Sequence, residues 1–172
     1  MSIVSTKSIE IRTDEEIKAC VSCLNDAFYC IATTYGLTKD NAPNNGAFLD
    51  FGKLKSEMSK GVSMIAISQE DAVNLDEKTI VGCAGFRILS SQKAEIVRLA
   101  VHSSYKGQGY GKDLITRIEK ILIAHGITEI ALGCIAEDQN LIGFYQSLGY
   151  SVKKIKQFKK HLHGVCFMVK RV

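Results

Sequence analysis

Three glycines within a short segment set the strongest local constraint on how this chain can fold. They stand at positions 107, 109 and 111 of the stretch SSYKGQGYGKDL, with Lys106 and Lys112 on either side. Glycine reaches backbone conformations that other residues avoid, and its missing side chain lets other groups come close to the peptide amides. A plain tight turn needs one or two glycines, so three predict a place where the backbone itself contacts a ligand.

The flanking residues indicate a strand that enters this segment and a helix that leaves it. Residues 93–101, KAEIVRLAV, are typical of a strand, and apolar residues at helical spacing predict a helix from 110 to 124. Amides at the start of a helix lack intrahelical acceptors and lie at the positive end of its dipole. The arrangement therefore predicts an anion site suited to a phosphate or pyrophosphate. Neither the P-loop pattern GxxxxGK[ST] nor the dinucleotide pattern GxGxxG matches the segment.

Further strands and helices are predicted along the rest of the chain. Strands are expected at 8–12, 62–68, 79–89, 127–134, 150–157 and 163–171, and helices at 14–33, 51–60 and 137–148. Asp14 is the expected cap of the first helix. Residues 34–50, rich in Gly, Asn and Asp, predict a long loop, and loops of that length are often functional. Strands separated by helices favour an α/β fold with a mixed sheet, and 172 residues predict a single domain over 1–172.

Composition argues against several other classes of protein. No apolar run approaches the roughly 18 residues of a membrane helix, and the N-terminal residues lack the apolar core of a signal peptide. A cytoplasmic protein is therefore expected, with a nuclear location as the alternative. Cys20 and Cys23 have no second pair at zinc spacing, so buried, reduced thiols are expected and no metal site. The net charge of +4 is too small to indicate nucleic acid, and the lysine-rich residues 153–163 contain no known nucleic-acid motif.

The glycine segment also resembles that of a known family. Its pattern, Lys106-x-x-Gly109-x-Gly111, lies between a strand ending in RLAV at 98–101 and a helix. This is similar to the acetyl-CoA pyrophosphate loop of the GNAT N-acetyltransferase superfamily. Lys106 departs from the pattern, because the family usually has Arg or Gln there. Lysine keeps a positive charge but lacks the planar fork of arginine, so only a side-chain contact to phosphate is affected.

A second block of the chain strengthens the resemblance. Asn140 and the sequence FYQSLGY at 144–150 match another family motif in order and spacing, and the similarity covers residues 60–152 well. The resemblance implies a GNAT-like α/β fold with a mixed central sheet of about six or seven strands, flanked by helices and splayed between the fourth and fifth strands. It also implies an enzyme that moves an acetyl group from acetyl-CoA to a primary amine by direct transfer in a ternary complex.

The resemblance assigns roles to individual residues of this chain. The cofactor-binding positions are Leu99, Ala100 and Val101 for the pantetheine arm, Lys106, Gly107, Gln108, Gly109, Tyr110, Gly111 and Lys112 for the pyrophosphate, and Asn140 near the thioester. Tyr145 is implied as the general acid that protonates the leaving thiolate. Glu95 is the candidate base, acting directly or through a water molecule. A backbone N–H of the 99–101 strand would stabilise the oxyanion.

The acceptor and the partners stay open at this level. The first helices, the 34–50 loop and the C-terminal strands are expected to shape a pocket for an amine on a small molecule or a peptide. The mildly positive net charge disfavours a strongly cationic acceptor, although the local acids Asp40, Asp50 and Glu57 could reverse that preference. A homodimer is compatible with the pattern, and no membrane partner is expected. Two other classes compete: a non-catalytic acyl-CoA-binding sensor, against which the candidate acid and base weigh, and a nucleic-acid-binding protein that uses the lysines.

Overall fold

The computed structural model describes residues 6–70, 78–158 and 163–172. Within these ranges the chain forms seven β-strands and four α-helices. In chain order they are β1 Thr6–Glu10, α1 Asp14–Thr34, α2 Phe51–Ser59, β2 Ser63–Glu70, β3 Lys78–Ile88, β4 Lys93–Val101, α3 Tyr110–Ala124, β5 Glu129–Ile135, α4 Gln139–Ser147, β6 Ser151–Lys156 and β7 Val165–Arg171. The lysine-rich segment 153–163 lies partly outside the described residues, at 159–162.

All seven strands belong to one mixed sheet with the order β1-β2-β3-β4-β5-β7-β6. Every neighbouring pair is antiparallel except β4 and β5, which run parallel. The predicted α/β fold with a mixed sheet flanked by helices is confirmed. The position of the parallel pair in the middle of the sheet determines where the sheet can open.

The parallel pair is short. Residues 93–95 of β4 pair with residues 129–131 of β5, and no later residue in the described part of either strand pairs across this boundary. Both strands nevertheless continue, β4 to Val101 and β5 to Ile135. The sheet is therefore splayed between its fourth and fifth strands, as the family resemblance implies.

Helices cover both faces of the sheet, and each face has its own core. On one face, Leu24 of α1 and Leu54 of α2 pack with Cys83 of β3. On the other face, Leu114 of α3 belongs to a core with Ile130 of β5. Because β2 and β3 are buried on both faces, their residues are apolar almost without interruption rather than alternating.

Two predictions about the first elements are wrong in detail. Thr13, not Asp14, caps α1, because the Thr13 hydroxyl accepts a hydrogen bond from the Glu16 amide at 3.2 Å, and the Glu16 carboxylate accepts one from the Thr13 amide at 3.0 Å. Asp14 is the first helical residue. β1 ends at Glu10 rather than at 12, since the Arg12 amide also donates to the Glu16 carboxylate, at 2.8 Å.

The predicted burial of the Cys20 and Cys23 thiols is observed. Both side chains lie in the core beside Cys83. Cys134 of β5 and Cys166 of β7 face each other in register across the sheet. Among the described helices, none has both the length and the apolar character needed to cross a bilayer.

Candidate active site

The gap between β4 and β5 leads into a cleft of about 1750 Å³. Of the residues predicted for the site, all but Gln108 line it. They are Glu95, Leu99, Ala100, Val101, Lys106, Gly107, Gly109, Tyr110, Gly111, Lys112, Asn140 and Tyr145. Another side of the cleft, which we name the α1–α2 wall, consists of Ala27, Phe28, Ile31, Leu37, residues 41–46, Glu57, Lys60 and Val62.

The turn between β4 and α3 presents a row of unpaired amides. In the described part of the chain, the N–H groups of residues 108–112 donate to no other residue, and the first bond into α3 runs from the Asp113 amide to the Gly109 carbonyl at 3.0 Å. Gly107 and Gly109 have φ angles of +77° and +88°, in the left-handed region. Gly111 lies in the helix without a positive φ. The backbone conformation therefore requires two of the three glycines.

A carboxylate from α1 fixes the start of this turn. Asp26 accepts hydrogen bonds from the Ser103 amide at 2.6 Å and from the Ser103 hydroxyl at 3.0 Å. His102 Nδ1 lies 3.7 Å from the same carboxylate. Burial raises the pKa of Asp26, but the bonds from Ser103 and the charges of His102 and Lys106 outweigh it, so the pKa is lowered. Asp26 is therefore ionised at neutral pH and ties α1 to the turn.

β4 contains a bulge where the sheet opens. Its register with β3 passes from Gly85 opposite Val97 to Cys83 opposite Ala100, so β4 has one more residue than β3 over this stretch. Arg98 lies in the bulge with a φ of +57°, and no other non-glycine residue in the described ranges has a positive φ. Bulges commonly redirect a side chain beside a functional site. Here the side chain of Arg98 reaches the α1–α2 wall.

Arg98 joins the bulge to α2 and to the loop that follows α1. Its Nε donates to Glu57 Oε2 at 3.0 Å, one terminal nitrogen donates to the other Glu57 oxygen, and the second terminal nitrogen donates to the Asn44 carbonyl at 2.7 Å. Both side chains of the ion pair are largely buried, Arg98 with 15% and Glu57 with 33% of its surface exposed. Sequence reasoning missed this contact, in which the guanidinium and both carboxylate oxygens are engaged.

Glu95 stands at the point where β4 and β5 separate. It is the last residue of β4 that pairs with β5, and on its other side it lies opposite Arg87 of β3. The Arg87 Nε donates to Glu95 Oε1, whereas Oε2 has no partner among the described residues. The side chain is 24% exposed and lines the cleft. The predicted base thus has one carboxylate oxygen available to a ligand.

Tyr145 is buried and still reaches the cleft. Its ring packs against that of Tyr150 with centroids 6.1 Å apart, and its hydroxyl hydrogen-bonds to no other residue in the described chain. The Tyr150 hydroxyl, in contrast, donates to Glu119 at 2.9 Å. Burial raises the pKa of Tyr145, with smaller contributions from Cys134 and Asp138. The Tyr145 phenol is therefore protonated, and its hydroxyl makes no hydrogen bond to another described residue.

α4 begins at Gln139 rather than at 137, because Asp138 caps it. The Asp138 carboxylate accepts a hydrogen bond from the Leu141 amide at 2.9 Å. With this start, Asn140 and Tyr145 both line the cleft. Asp138 lines it too and was not among the predicted site residues, although an Asp ahead of an apolar helix is a recognisable capping signal.

These features define a class of site. A strand edge opened within a sheet can pair with an extended ligand, and a row of amides at a helix N-terminus can bind the phosphates at the end of that ligand. Residues 54–150 match the model of the Acetyltransferase (GNAT) family. Because this match covers more than half of the sequence, the chain belongs to the GNAT family of acetyltransferases.

Individual relatives are distant. An acetyltransferase of Yersinia pestis is 34% identical over 64 residues, which are 37% of this chain and 45% of that protein, so the match spans about half the length of the relative. The ribosomal-protein-S18-alanine N-acetyltransferase of Escherichia coli superposes with a TM-score of 0.75 at 16% identity, over 98% of this chain and 94% of that one. PaiA N-acetyltransferase of Thermoplasma acidophilum, in complex with coenzyme A, gives 0.71 at 18% identity, over 98% and 99%. At these identities the solved structures support the fold alone.

Gly109→Ala is expected to lower the free energy of unfolding by about 1–2 kcal/mol, because a residue with a Cβ is strained in the left-handed region. Gly111→Ala is the matched control. A Cβ there would lie 3.5 Å from the Phe144 ring and 3.7 Å from Val101, which is ordinary contact. This variant should be neutral or stabilising by up to about 1 kcal/mol. Urea denaturation measures both, and equal destabilisation would contradict the distinction between the two glycines.

Proposed function

We propose that this protein is an N-acetyltransferase that moves an acetyl group from acetyl-CoA directly to a primary amine. The proposal depends on the arrangement of one cleft. The open edge of β4 leads from Glu95 to the unpaired amides of residues 108–112. The Tyr145 hydroxyl, which has no hydrogen-bond partner among the described residues, reaches the same cleft. Membership of the GNAT family supports it. The coenzyme A bound to the PaiA relative supports the choice of donor.

The cleft offers a different partner to each part of acetyl-CoA. The backbone of residues 99–101 pairs with the amides of the pantetheine arm, in place of the strand that is missing beside β4. The amides of residues 108–112, with the charges of Lys106 and Lys112, bind the pyrophosphate. Asn140 hydrogen-bonds the pantetheine near the thioester. The acceptor amine approaches from the α1–α2 wall.

Glu95 and Tyr145 handle the protons of the transfer. Only a neutral amine can attack the thioester, and Glu95 Oε2 accepts the amine proton directly or through water. A backbone N–H of residues 99–101 stabilises the oxyanion. Tyr145 then protonates the departing sulfur. Burial raises the pKa of Tyr145 and so keeps the phenol protonated, and the same surroundings disfavour an unprotonated thiolate.

The state of Cys134 favours direct transfer over an acetyl-enzyme intermediate. Cys134 is the one cysteine among the described residues that line the cleft, and it contributes to the raised pKa of Tyr145. Burial raises its pKa to about 12, with Cys166 contributing. Since the thiolate is the nucleophile, this cysteine is a poor acyl acceptor at neutral pH. The amine therefore attacks the thioester itself, in a ternary complex.

The proposal is tested most simply by the release of CoA thiol from acetyl-CoA, with a panel of amines, amino acids, amino sugars and peptides. Acceptor-dependent release with a matching N-acetylated product in the mass spectrum is the expected result. Binding of acetyl-CoA without release for any acceptor would contradict it and favour an acyl-CoA sensor. Salt-dependent retention on a nucleic-acid column without any binding of acetyl-CoA would favour the nucleic-acid alternative.

Tyr145→Phe is expected to lower kcat about a hundredfold or more and to leave acetyl-CoA affinity nearly unchanged, because only the proton donor is lost. Because the folded-state pKa of Tyr145 is raised, the wild-type kcat should show no loss from this group up to a pH of about 10. Tyr150→Phe is the control, since its hydroxyl is bound to Glu119. A wild-type kcat for Tyr145→Phe would rule out the general-acid role.

Glu95→Gln is expected to reduce kcat/KM about a hundredfold at neutral pH. The difference in kcat/KM between the variant and the wild type should become smaller as the pH rises, because more of the amine is then already neutral. Glu10→Gln is the control, because it removes an exposed carboxylate of β1 that pairs with Arg12 and is not among the cleft residues. Initial rates across the pH range for both variants distinguish the two residues. If the two profiles coincide, Glu95 is not the base.

A further inference from the structure

Of the three carboxylates that could attract a cationic acceptor, two are engaged and the third does not line the cleft. Both oxygens of Glu57 accept from Arg98. Asp50 caps α2 by accepting from the Lys53 amide at 2.8 Å, and Asp40 is not among the described residues that line the cleft. A polyamine placed on the α1–α2 wall would therefore find no free carboxylate there for its second positive charge.

Some of the cationic side chains that line the same cleft keep donors that bind no other described residue. All three guanidinium nitrogens of Arg98 donate hydrogen bonds, to Glu57 or to Asn44. Arg87 donates only its Nε, to Glu95, and its two terminal nitrogens hydrogen-bond to no other described residue. The Arg87 side chain is 50% exposed and lines the cleft. Lys60, exposed at the end of α2, lines it too and has no ion-pair partner within the described ranges.

The free donors of Arg87 suit a ligand that carries a carboxylate. The terminal nitrogens of an arginine form a planar fork that binds a carboxylate through two parallel hydrogen bonds. Arg87 contacts one carboxylate oxygen of Glu95. An amine bound to the other oxygen is therefore close to the terminal nitrogens of Arg87. A molecule that satisfies both groups has its amine and its carboxylate close together. The apolar side chains of Phe28, Ile31 and Leu37 line the wall beyond them.

We infer that the acceptor is a free amino acid with an apolar side chain, and that Arg87 determines this specificity by binding the acceptor's carboxylate. The inference rests on the proposed N-acetyltransferase function and identifies the substrate class of the same site. Glu95 receives the proton of the amine, Arg87 holds the carboxylate with Lys60 nearby, and the side chain packs along the α1–α2 wall.

The first test compares each amino acid with the amine that lacks its carboxylate. Phenylalanine is compared with phenethylamine and leucine with isoamylamine, with phenylalaninamide and spermidine as further acceptors. Values of kcat/KM are referred to the concentration of neutral amine, so that differences in amine basicity cancel. The amino acids should exceed their decarboxylated partners about tenfold to a hundredfold, as expected for a hydrogen-bonded charge pair. Equal or faster acetylation of the amines, the amide or spermidine would overturn the inference.

The second test assigns the preference to Arg87. Arg87→Lys keeps a positive charge beside Glu95 and removes the fork, so the ratio between phenylalanine and phenethylamine should fall about tenfold. The ratio is informative because any change in Glu95 affects both acceptors equally. Arg117→Lys is the control: this arginine of α3 is 44% exposed, pairs with Asp113 at 2.9 Å and is not among the cleft residues. An unchanged ratio in Arg87→Lys would overturn the role of Arg87.

The same assays separate failure of the inference from failure of the proposed function. Release of CoA with simple amines or peptides, but not with amino acids, would contradict the inference and leave the transferase function standing. Release with none of the acceptors, while acetyl-CoA still binds, would contradict the function and the inference together.

Discussion

The early separation of β4 from β5 is the constraint on which the rest of the site depends. Only residues 93–95 and 129–131 pair across this boundary, so the edge of β4 beyond Glu95 faces a gap instead of a strand. Backbone N–H and C=O groups in a protein interior need partners, and an open edge inside a sheet is costly unless a ligand or water supplies them. The open edge and the cleft beside it are consequences of this short register, and the unpaired amides at the start of α3 lie at the end of that edge.

Two charged contacts hold this opening from the side of α1 and α2. Arg98 links the bulge of β4 to Glu57, which is 41 residues away, and Asp26 links α1 to Ser103, which is 77 residues away. A positive φ in a residue with a side chain costs about 1–2 kcal/mol. The charge-assisted hydrogen bonds of Arg98 offset such a cost, since they are roughly twice as strong as neutral ones. The bulge and the turn are thus fixed by the protein before any ligand binds.

Local sequence signals predicted the part of the site that local chemistry determines. The bounds of β4 at 93–101 and of α3 at 110–124 agree with the structure, because strand periodicity, the glycines and helix spacing meet there without conflict. The resemblance to a family added the splayed sheet, and it assigned Glu95 and Tyr145, which the structure brings into one cleft. The roles of these two residues remain predictions.

Long-range contacts explain what the sequence could not provide. The bulge at Arg98, the Asp26–Ser103 bonds and the Arg87–Glu95 pair depend on which strands and helices become neighbours. No spacing along the chain encodes that Glu57 is neutralised, and so the sequence suggested a free acid there. Asp14 was chosen as a cap for a simpler reason: Thr13 and Asp14 are both good capping residues, and only the reciprocal bonds of Glu16 select Thr13.

Residue-resolved amide hydrogen exchange, measured by NMR with and without CoA, tests the central claim most directly. If the open edge and the turn bind the cofactor, CoA should slow exchange at the amides of residues 108–112 and along residues 99–101. The exposed edge strand β6 should be unaffected. Binding of CoA that protects neither segment, or protects only the α1–α2 wall, would contradict the account.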